Sequence, residues 1–327
     1  MAKKVYFSQV RKLAKSAEDK KQVTESEDKL QQLGFVDYFN NLSDEEKDMV
    51  LSSPVQNFIP WRAVWNMNSV FTECRVVLDA TQHVKGDFSL NSILAKGRNG
   101  MNKLLEVLIR MRMHFSVFHC DIQKMYNSVR LDKRHWCYQL YLWSENLDLG
   151  DSPRWKVIKT LIYGVRSSGN QAECALRKIA KLNESKYKRA SEIILNDTYV
   201  DDIVSGESDK DALEKTCSDL KAALRTGAYQ LKGITVSGKP PPQHLSKDGK
   251  FVGVMGYKWD SERDVLMLNI GDFNFSRKVR GKKNEDARGV IPEKLSRRQC
   301  LGKTSEFFIR EDLLSPSLVD LKLISGV

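Results

Sequence analysis

Three aspartates define the chemistry open to this chain. Asp201 and Asp202 are adjacent, behind Ile193-Ile194-Leu195-Asn196-Asp197-Thr198-Tyr199-Val200 and ahead of Ile203-Val204-Ser205-Gly206. Both flanks are rich in β-branched and aromatic residues, which predicts a hairpin with the two acids at its tip. Asp is also a common turn residue, so the pair alone does not establish a catalytic site. A second strand-like run, Phe115-Ser116-Val117-Phe118-His119-Cys120, ends at Asp121. Pairing of the two strands would set Asp121 beside Asp201. The result is a hard, oxygen-lined site suited to Mg²⁺ rather than zinc. Two such ions, roughly 3.5–4 Å apart, can clamp the attacking and leaving oxygens of an in-line phosphoryl displacement. Without a cation, mutual repulsion is expected to push up the pKa of at least one carboxylate.

The elements that must position these acids can be read around them. Glu25 to Leu33 has helical spacing and is followed by Gly34, suited to a C-cap. Leu42-Ser43-Asp44-Glu45-Glu46 opens a second short helix with an N-cap and an acidic first turn, and Ser52-Ser53-Pro54 breaks it. Asn57 to Trp65 and Cys74 to Asp79 read as a strand hairpin. Gly100 to Arg112 reads as an amphipathic helix whose Met residues fill core. Arg134 to Trp143 is expected as a strand pair. Ser168 to Lys186 and Asp209 to Thr226 are expected as helices, the second capped by Ser208 or Asp209 and stopped by Gly227. The alternation strand, helix, strand, strand, helix, strand predicts a split α+β unit. Pro240-Pro241-Pro242 marks a rigid turn into a following sheet.

Several of these segments together resemble a known family. Asp121 followed five residues later by Tyr126, then Tyr199-Val200-Asp201-Asp202, is similar to motifs A and C of reverse transcriptases. Arg75-Val76-Val77-Leu78-Asp79-Ala80 resembles their fingers segment, and Tyr163-Gly164-Val165-Arg166-Ser167-Ser168-Gly169-Asn170-Gln171-Ala172 resembles motif B. Thr226-Gly227-Ala228-Tyr229-Gln230-Leu231-Lys232 resembles motif D, and Val254-Met255-Gly256-Tyr257-Lys258-Trp259-Asp260 stands where motif E, the primer grip, belongs. More narrowly, Phe58-Ile59-Pro60-Trp61-Arg62, Ser89 to Gly97 and Asp121 to Tyr126 are similar to the BEL/Pao class of long-terminal-repeat retrotransposons.

The resemblance implies an α+β right-hand polymerase fold, with fingers, a ferredoxin-like palm on an antiparallel sheet, and a partial thumb. On that reading residues 1–24 are a basic tail, 25–110 the fingers and start of the palm, 111–270 the palm, and 271–327 a linker and partial thumb. Asp121, Asp201 and Asp202 would be catalytic and would hold two Mg²⁺ ions, or Mn²⁺ in their place, with the Ile122 carbonyl. Arg75, the main chain of Lys124 and Met125, Tyr126, Gly164 and Lys232 would meet the nucleotide. Tyr126 would exclude a ribose 2′-hydroxyl, and Lys232 would protonate departing pyrophosphate. Tyr199, Ser167, Ser168, Met255 and Gly256 would contact primer and template. Tyr163 stands where many retroviral enzymes have Gln, and Gly169 where they have Pro. The implied partners are an RNA or DNA template with its primer, and dNTPs.

Composition is consistent with this and narrows the alternatives. The 53 Lys and Arg against 42 Asp and Glu give a net charge of +11 and a pI near 9.2, which favours a polyanionic partner. The excess concentrates before Lys21 and in Arg277-Lys278-Val279-Arg280-Gly281-Lys282-Lys283, the latter a candidate for sequence-independent phosphate contacts. The six cysteines lack zinc spacing and read as reduced thiols of an intracellular protein, and the resemblance to retrotransposon enzymes implies a cytoplasmic virus-like particle or the nucleus. No stretch reaches about 18 apolar residues, so no membrane span is expected. Protease, RNase H and integrase signatures are absent, and the chain ends soon after Asp312-Leu313-Leu314-Ser315-Pro316, which suggests a segment of a longer polyprotein. The alternative reading is an inactive, truncated remnant that at most binds nucleic acid.

Overall fold

The computed structural model describes residues 1–65, 74–83 and 87–268. Numbered in chain order, the first elements are α1 (Ala2–Leu13), α2 (Ala17–Gln32), β1 (Val36–Tyr38), α3 (Asp44–Leu51), β2 (Trp61–Trp65) and β3 (Cys74–Leu78). Then follow α4 (Leu90–Ile93), α5 (Leu104–Arg112), β4 (Ser116–Gln123), β5 (Leu140–Trp143) and β6 (Arg154–Ile158). The central unit continues with α6 (Ser168–Asn183), α7 (Lys188–Asn196), β7 (Thr198–Tyr199), β8 (Asp202–Glu207), α8 (Lys210–Arg225) and β9 (Gln230–Val236). A last sheet comprises β10 (Phe251–Val254), β11 (Tyr257–Asp260) and β12 (Val265–Leu268). The basic run at 277–283, the linker and partial thumb beyond residue 270, and Cys300 lie outside the described residues.

The central sheet has the order β7-β8-β4-β9, with β4 antiparallel to both neighbours. Taken along the chain, β4, α6, β7, β8, α8 and β9 give the split β-α-β-β-α-β arrangement that the alternation predicts. Strand β4 alternates strictly. Phe118, Cys120 and Ile122 enter a core with Leu176 of α6, Ile193 of α7 and Leu220 and Leu224 of α8. Val117 on the other face packs with Val107 and Met111 of α5, Val204 of β8, and Val252, Val254 and Trp259. With both faces covered, the sheet is a rigid platform, and residues of odd number on β4 share the face that ends in Asp121.

Capping signals in the sequence map onto element ends. Ser43 and Glu46 form a reciprocal capping box on α3, and Asp209 caps α8 by accepting from the Ala212 amide at 2.8 Å. Gly34 has φ +69 just after α2, as a C′ glycine does. Gly227 acts differently from expectation. The left-handed residue after α8 is Ala228 (φ +60), while a Cβ on Gly227 would fall 1.9 Å from Ile179 Cδ1. Close packing of α8 on α6, not backbone freedom, therefore demands that glycine.

Three expectations change. Ile193 to Asn196 are not strand but the end of α7, because Ala190, Ile193 and Ile194 form one buried stripe packed between α6 and α8. Tertiary burial overrides the β-branched preference, and the strand before the acids shrinks to Thr198–Tyr199. Arg134 to Trp143 is a 3₁₀ turn over Lys133–Tyr138 followed by β5, not a strand pair, since Asp132 caps the turn by accepting from the Arg134 amide. The basic N-terminus is not a tail: Tyr6, Val10 and Leu13 of α1 are buried with Trp61, Tyr141 and Trp143.

Beneath those helices lies a buried ionic knot. Lys156 of β6 and Glu27 of α2 are 1% and 0% exposed and pair at 2.6 Å. Tyr141 donates to Glu27 Oε1 at 2.6 Å, Lys156 also donates to Gln31 at 2.6 Å, and the ammonium lies 4.3 Å from the Tyr38 ring centre. Burial holds the Lys156 pKa below its ordinary value, with Glu27 opposing that shift. Every charge is met, so the knot ties α2 to the β1-β6-β5 sheet.

Candidate active site

The central sheet delivers the three aspartates to one end. Asp121, near the end of β4, pairs in register with Asp202, the first residue of β8. Tyr199 pairs with Asp202, leaving Val200 and Asp201 as a two-residue turn. The Ile122 amide donates to the Asp201 carbonyl at 2.8 Å, which fastens the turn to β4. Val200 has φ +57, a conformation that costs a β-branched residue about 1–3 kcal/mol. Strain of this kind persists where the surroundings impose it, and here it sets Asp201 at the tip.

The electrostatics follow from burial. The Asp201 carboxyl is pushed up to about 6, first by desolvation, then by the charges of Asp121 and Asp202. Asp121 is also raised, mainly by desolvation, against the pull of Lys232, whose ammonium lies 2.6 Å from Asp121 Oδ1. Asp202 is held on its other side, where His119 Nε2 donates to Asp202 Oδ1 at 2.8 Å. Among the described residues no three His, Cys, Asp or Glu side chains converge as one ligand set. Two of the three acids are turned toward partners of their own. The donor chemistry nevertheless fits a hard divalent cation, because all three are carboxylates and Asp201 carries negative charge that its surroundings leave in excess.

The residues expected around the nucleotide fall at the same end. Tyr126 opens a 3₁₀ turn after β4, half-buried, with its ring 4.4 Å from that of Tyr163 at 49°. Burial and then Asp201 raise the Tyr126 pKa, and burial, Asp201 and Tyr126 raise that of Tyr163. Arg75 is exposed on β3 and close enough to Tyr163 for its charge to oppose that rise. Lys124 has φ +49, and its ammonium reaches over the Phe35 ring at 5.7 Å. Met125 is buried, so neither of these two side chains faces the acids, and only their main chain remains for a ligand role.

Gly164 (φ +89) lies so close to β3 that a Cβ there would be 2.8 Å from the Leu78 carbonyl oxygen. Its own carbonyl accepts from Asn91 Nδ2 at 2.7 Å, and the Arg166 amide donates to Asn91 Oδ1 at 2.8 Å. Asn91 thus clamps the loop that carries Tyr163. Gly164→Ala is expected to cost about 1–3 kcal/mol by strained backbone and overlap, whereas Gly150→Ala, with nothing within 4 Å of its Cβ, should be near neutral. Urea midpoints of the two variants decide this; equal midpoints would remove the close approach as the reason for glycine.

Ser167 accepts from Gln171 Nε2 at 2.9 Å at the start of α6 and stays partly exposed. Ser168 is 1% exposed, so its hydroxyl cannot be the surface contact expected of it. Met255 (φ +49) and Gly256 (φ +91) form the two-residue turn between β10 and β11, both left-handed as in a type I′ hairpin. Met255 packs on the core that holds Val117 and Val204, the sheet face that also carries Asp121 and Asp202. The residues that motif spacing missed are His119, Asn91 and the Tyr163 ring. His119 was discoverable, because a residue two before Asp121 on a strand shares its face.

Among the described residues no helix is long and apolar enough to cross a membrane. Cys74, Cys120, Cys137, Cys174 and Cys217 are all free thiols. No family model and no curated protein matches the chain. Among solved structures it is similar to the native protease–reverse transcriptase of prototype foamy virus, at 13% identity and a TM-score of 0.48. The match covers 77% of this chain and 26% of that one, so the chain spans about a quarter of that protein's length. A likeness of this size carries no argument about chemistry, which rests on the arrangement of Asp121, Asp201, Asp202 and Tyr126.

Proposed function

We propose that the chain is an RNA-directed DNA polymerase segment of a retroelement, of BEL/Pao type, which extends a primer 3′-hydroxyl by template-directed addition of dNTPs. One observation carries this reading: Asp121 and Asp202 paired across β4 and β8, Asp201 in the adjoining turn, and Tyr126 at the same end of the sheet. On this reading the central sheet with α6 and α8 is the palm, β2 and β3 belong to the fingers, and the Met255-Gly256 turn is the primer grip. The reaction is attack of the 3′-hydroxyl on the α-phosphate with loss of pyrophosphate.

Asp121 and Asp201, with the Ile122 carbonyl, would hold Mg²⁺, and Asp202 would stand beside them as a neighbouring charge. When bound, the cation supplies charge neutralisation and alignment of attacking and leaving oxygens. Arg75 offers a guanidinium fork to the triphosphate, with a geometry suited to bidentate phosphate contact. Lys232 neutralises Asp121 and, by exchanging partners, can give a proton to pyrophosphate. Template and primer phosphates would be met by the chain's basic excess, and the site of action would be a virus-like particle or the nucleus.

Tyr126 is the sugar gate in this scheme, and the Tyr163 ring behind it fixes its orientation. Tyr126→Ala is expected to raise ribonucleotide incorporation relative to dNTP by about 10²-fold, since one well-placed side chain discriminates by about 1–3 kcal/mol. Unchanged dNTP/rNTP selectivity in single-nucleotide extension would remove the role.

The test of the whole proposal is primer extension on poly-rA/oligo-dT with Mg²⁺ or Mn²⁺, beside an Asp201→Asn control. Extension lost in the control supports the polymerase. A second reading, a folded remnant that only binds nucleic acid, draws on the separate partners of Asp121 and Asp202. Duplex binding without extension by the intact chain would favour it.

A further inference from the structure

His119 is a buried polar side chain on the aspartate face that nothing in the motif pattern assigns. It lies on β4 two residues before Asp121, is 5% exposed, and faces Val204 across the strand pair. Its ring reaches diagonally to the next cross-strand position, where Nε2 donates to Asp202 Oδ1 at 2.8 Å. Against a carboxylate the ring nitrogen must be the donor, which selects the tautomer with hydrogen on Nε2 or the doubly protonated ring. A buried histidine bonded in this way fixes the rotamer of its acceptor, as outer partners of ligating groups commonly do. Here the direction of the hold matters, because it draws Asp202 back along β4 and away from the turn that carries Asp201.

Two further observations agree. Among the described residues no three candidate ligands converge, although three aspartates occupy adjoining positions of one hairpin and its neighbour. Asp121 and Asp202 are opposite one another, yet each is engaged by its own basic partner, Lys232 on β9 and His119 on β4. The two holds differ in kind. Lys232 sits on a side chain with a flexible stem that is 24% exposed and can exchange partners, whereas the His119 ring is enclosed.

We propose that His119 is a positioning residue that holds Asp202 outside the cation's ligand set, so that Asp121 and Asp201 form the ligand pair. The inference rests on the cation-dependent reading above and deepens it: the adjacent acids divide their work, Asp201 ligating and Asp202 acting as a fixed neighbouring charge. His119 must then limit cation affinity, since a site's affinity rises with the number of charged ligands it can apply.

The test uses the full chain with Mn²⁺ alone, read by isothermal titration without nucleic acid. Asp121→Asn and Asp201→Asn are expected to weaken Mn²⁺ binding by about 30-fold or more, and Asp202→Asn by less than about 3-fold. His119→Leu, which removes the donor, is expected to tighten Mn²⁺ binding by about 10-fold as Asp202 joins the pair. That gain should vanish in His119→Leu/Asp202→Asn, and His119→Gln, which keeps an N–H donor, should retain the parent affinity. A general structural role for the ring would give none of this pattern, and a cooperative melting transition no lower than the parent's shows that each variant folds. Loss of binding in Asp202→Asn as large as in Asp201→Asn overturns the proposal, as does no change in His119→Leu. If none of the three aspartate variants alters Mn²⁺ binding, the cation site itself fails and this inference with it. Absence of primer extension alongside the expected affinity order would sink the polymerase reading alone.

Discussion

Replacing Asp201 with Asn is expected to stop primer extension and, in a chelating buffer near neutral pH, to make the chain more stable. The two effects share one cause. An Asp carboxyl at its ordinary 3.8 in the unfolded chain moves to about 6 in the fold, chiefly because it is desolvated and then because Asp121 and Asp202 are close. Between those values the folded chain binds the extra proton, so the stability conferred is present below about pH 4 and is lost as pH rises through 6. A shift of this size is worth up to about 3 kcal/mol, and partial exposure reduces the expected penalty at pH 7.5 to about 2 kcal/mol. Asn carries no charge and escapes it.

The expected melting-temperature gain for Asp201→Asn is roughly 2–5 °C at pH 7.5, shrinking toward zero below about pH 4. Added Mg²⁺ should close the gap by stabilising only the parent, since a ligand that binds the folded state raises its stability. Catalysis should fall by about 10³-fold, the loss expected when a group that organises charge in a transition state is removed. Equal melting of parent and variant at pH 7.5, or an equal response to Mg²⁺, would show that Asp201 is neither charge-stressed nor a ligand.

Breaking the Lys156–Glu27 knot should strongly destabilise the N-terminal part. Lys156→Met leaves the Glu27 carboxylate at 0% exposure with only Tyr141 and no counter-charge. An uncompensated buried charge of this kind costs about 3–5 kcal/mol. Glu27→Gln is expected to cost a similar amount by stranding the Lys156 ammonium. The double change Lys156→Met/Glu27→Leu should recover most of the loss, because removing both charges also removes the need to desolvate them. Trp143 lies 5.7 Å from the Lys156 ammonium and Trp61 shares its core, so the urea midpoint of tryptophan fluorescence reports on this region. A Lys156→Met midpoint matching the parent would show that the pair contributes nothing net. A double variant no better than the singles would show that its value lies elsewhere than in mutual compensation.

The chain's local sequence went far where the physics is local. Ser43 with Glu46, Asp209 before α8 and Gly34 after α2 each announce a helix end by hydrogen-bonding chemistry that needs no distant partner. The strand–helix alternation around Asp121, Asp201 and Asp202 likewise carried the split topology, since each element's period is written in its own residues. It failed where burial outvoted propensity. Ile193 and Ile194 favour strands, but a stripe facing α6 and α8 turns them helical. The Lys-rich N-terminus suggests a solvated tail, but Tyr6, Val10 and Leu13 at helical spacing give it a core to join.

What the sequence by itself determined is the inventory: three carboxylates, the aromatic five residues after the first, and the order of the elements that bear them. The tertiary structure alone decided which partner each acid has. Antiparallel register set Asp121 opposite Asp202, the diagonal across β4 and β8 gave Asp202 to His119, and β9 brought Lys232 to Asp121. Those pairings arise from strand register and sheet face, which are fixed by the burial of whole faces at once. A residue's type and its neighbours in the chain carry no record of them.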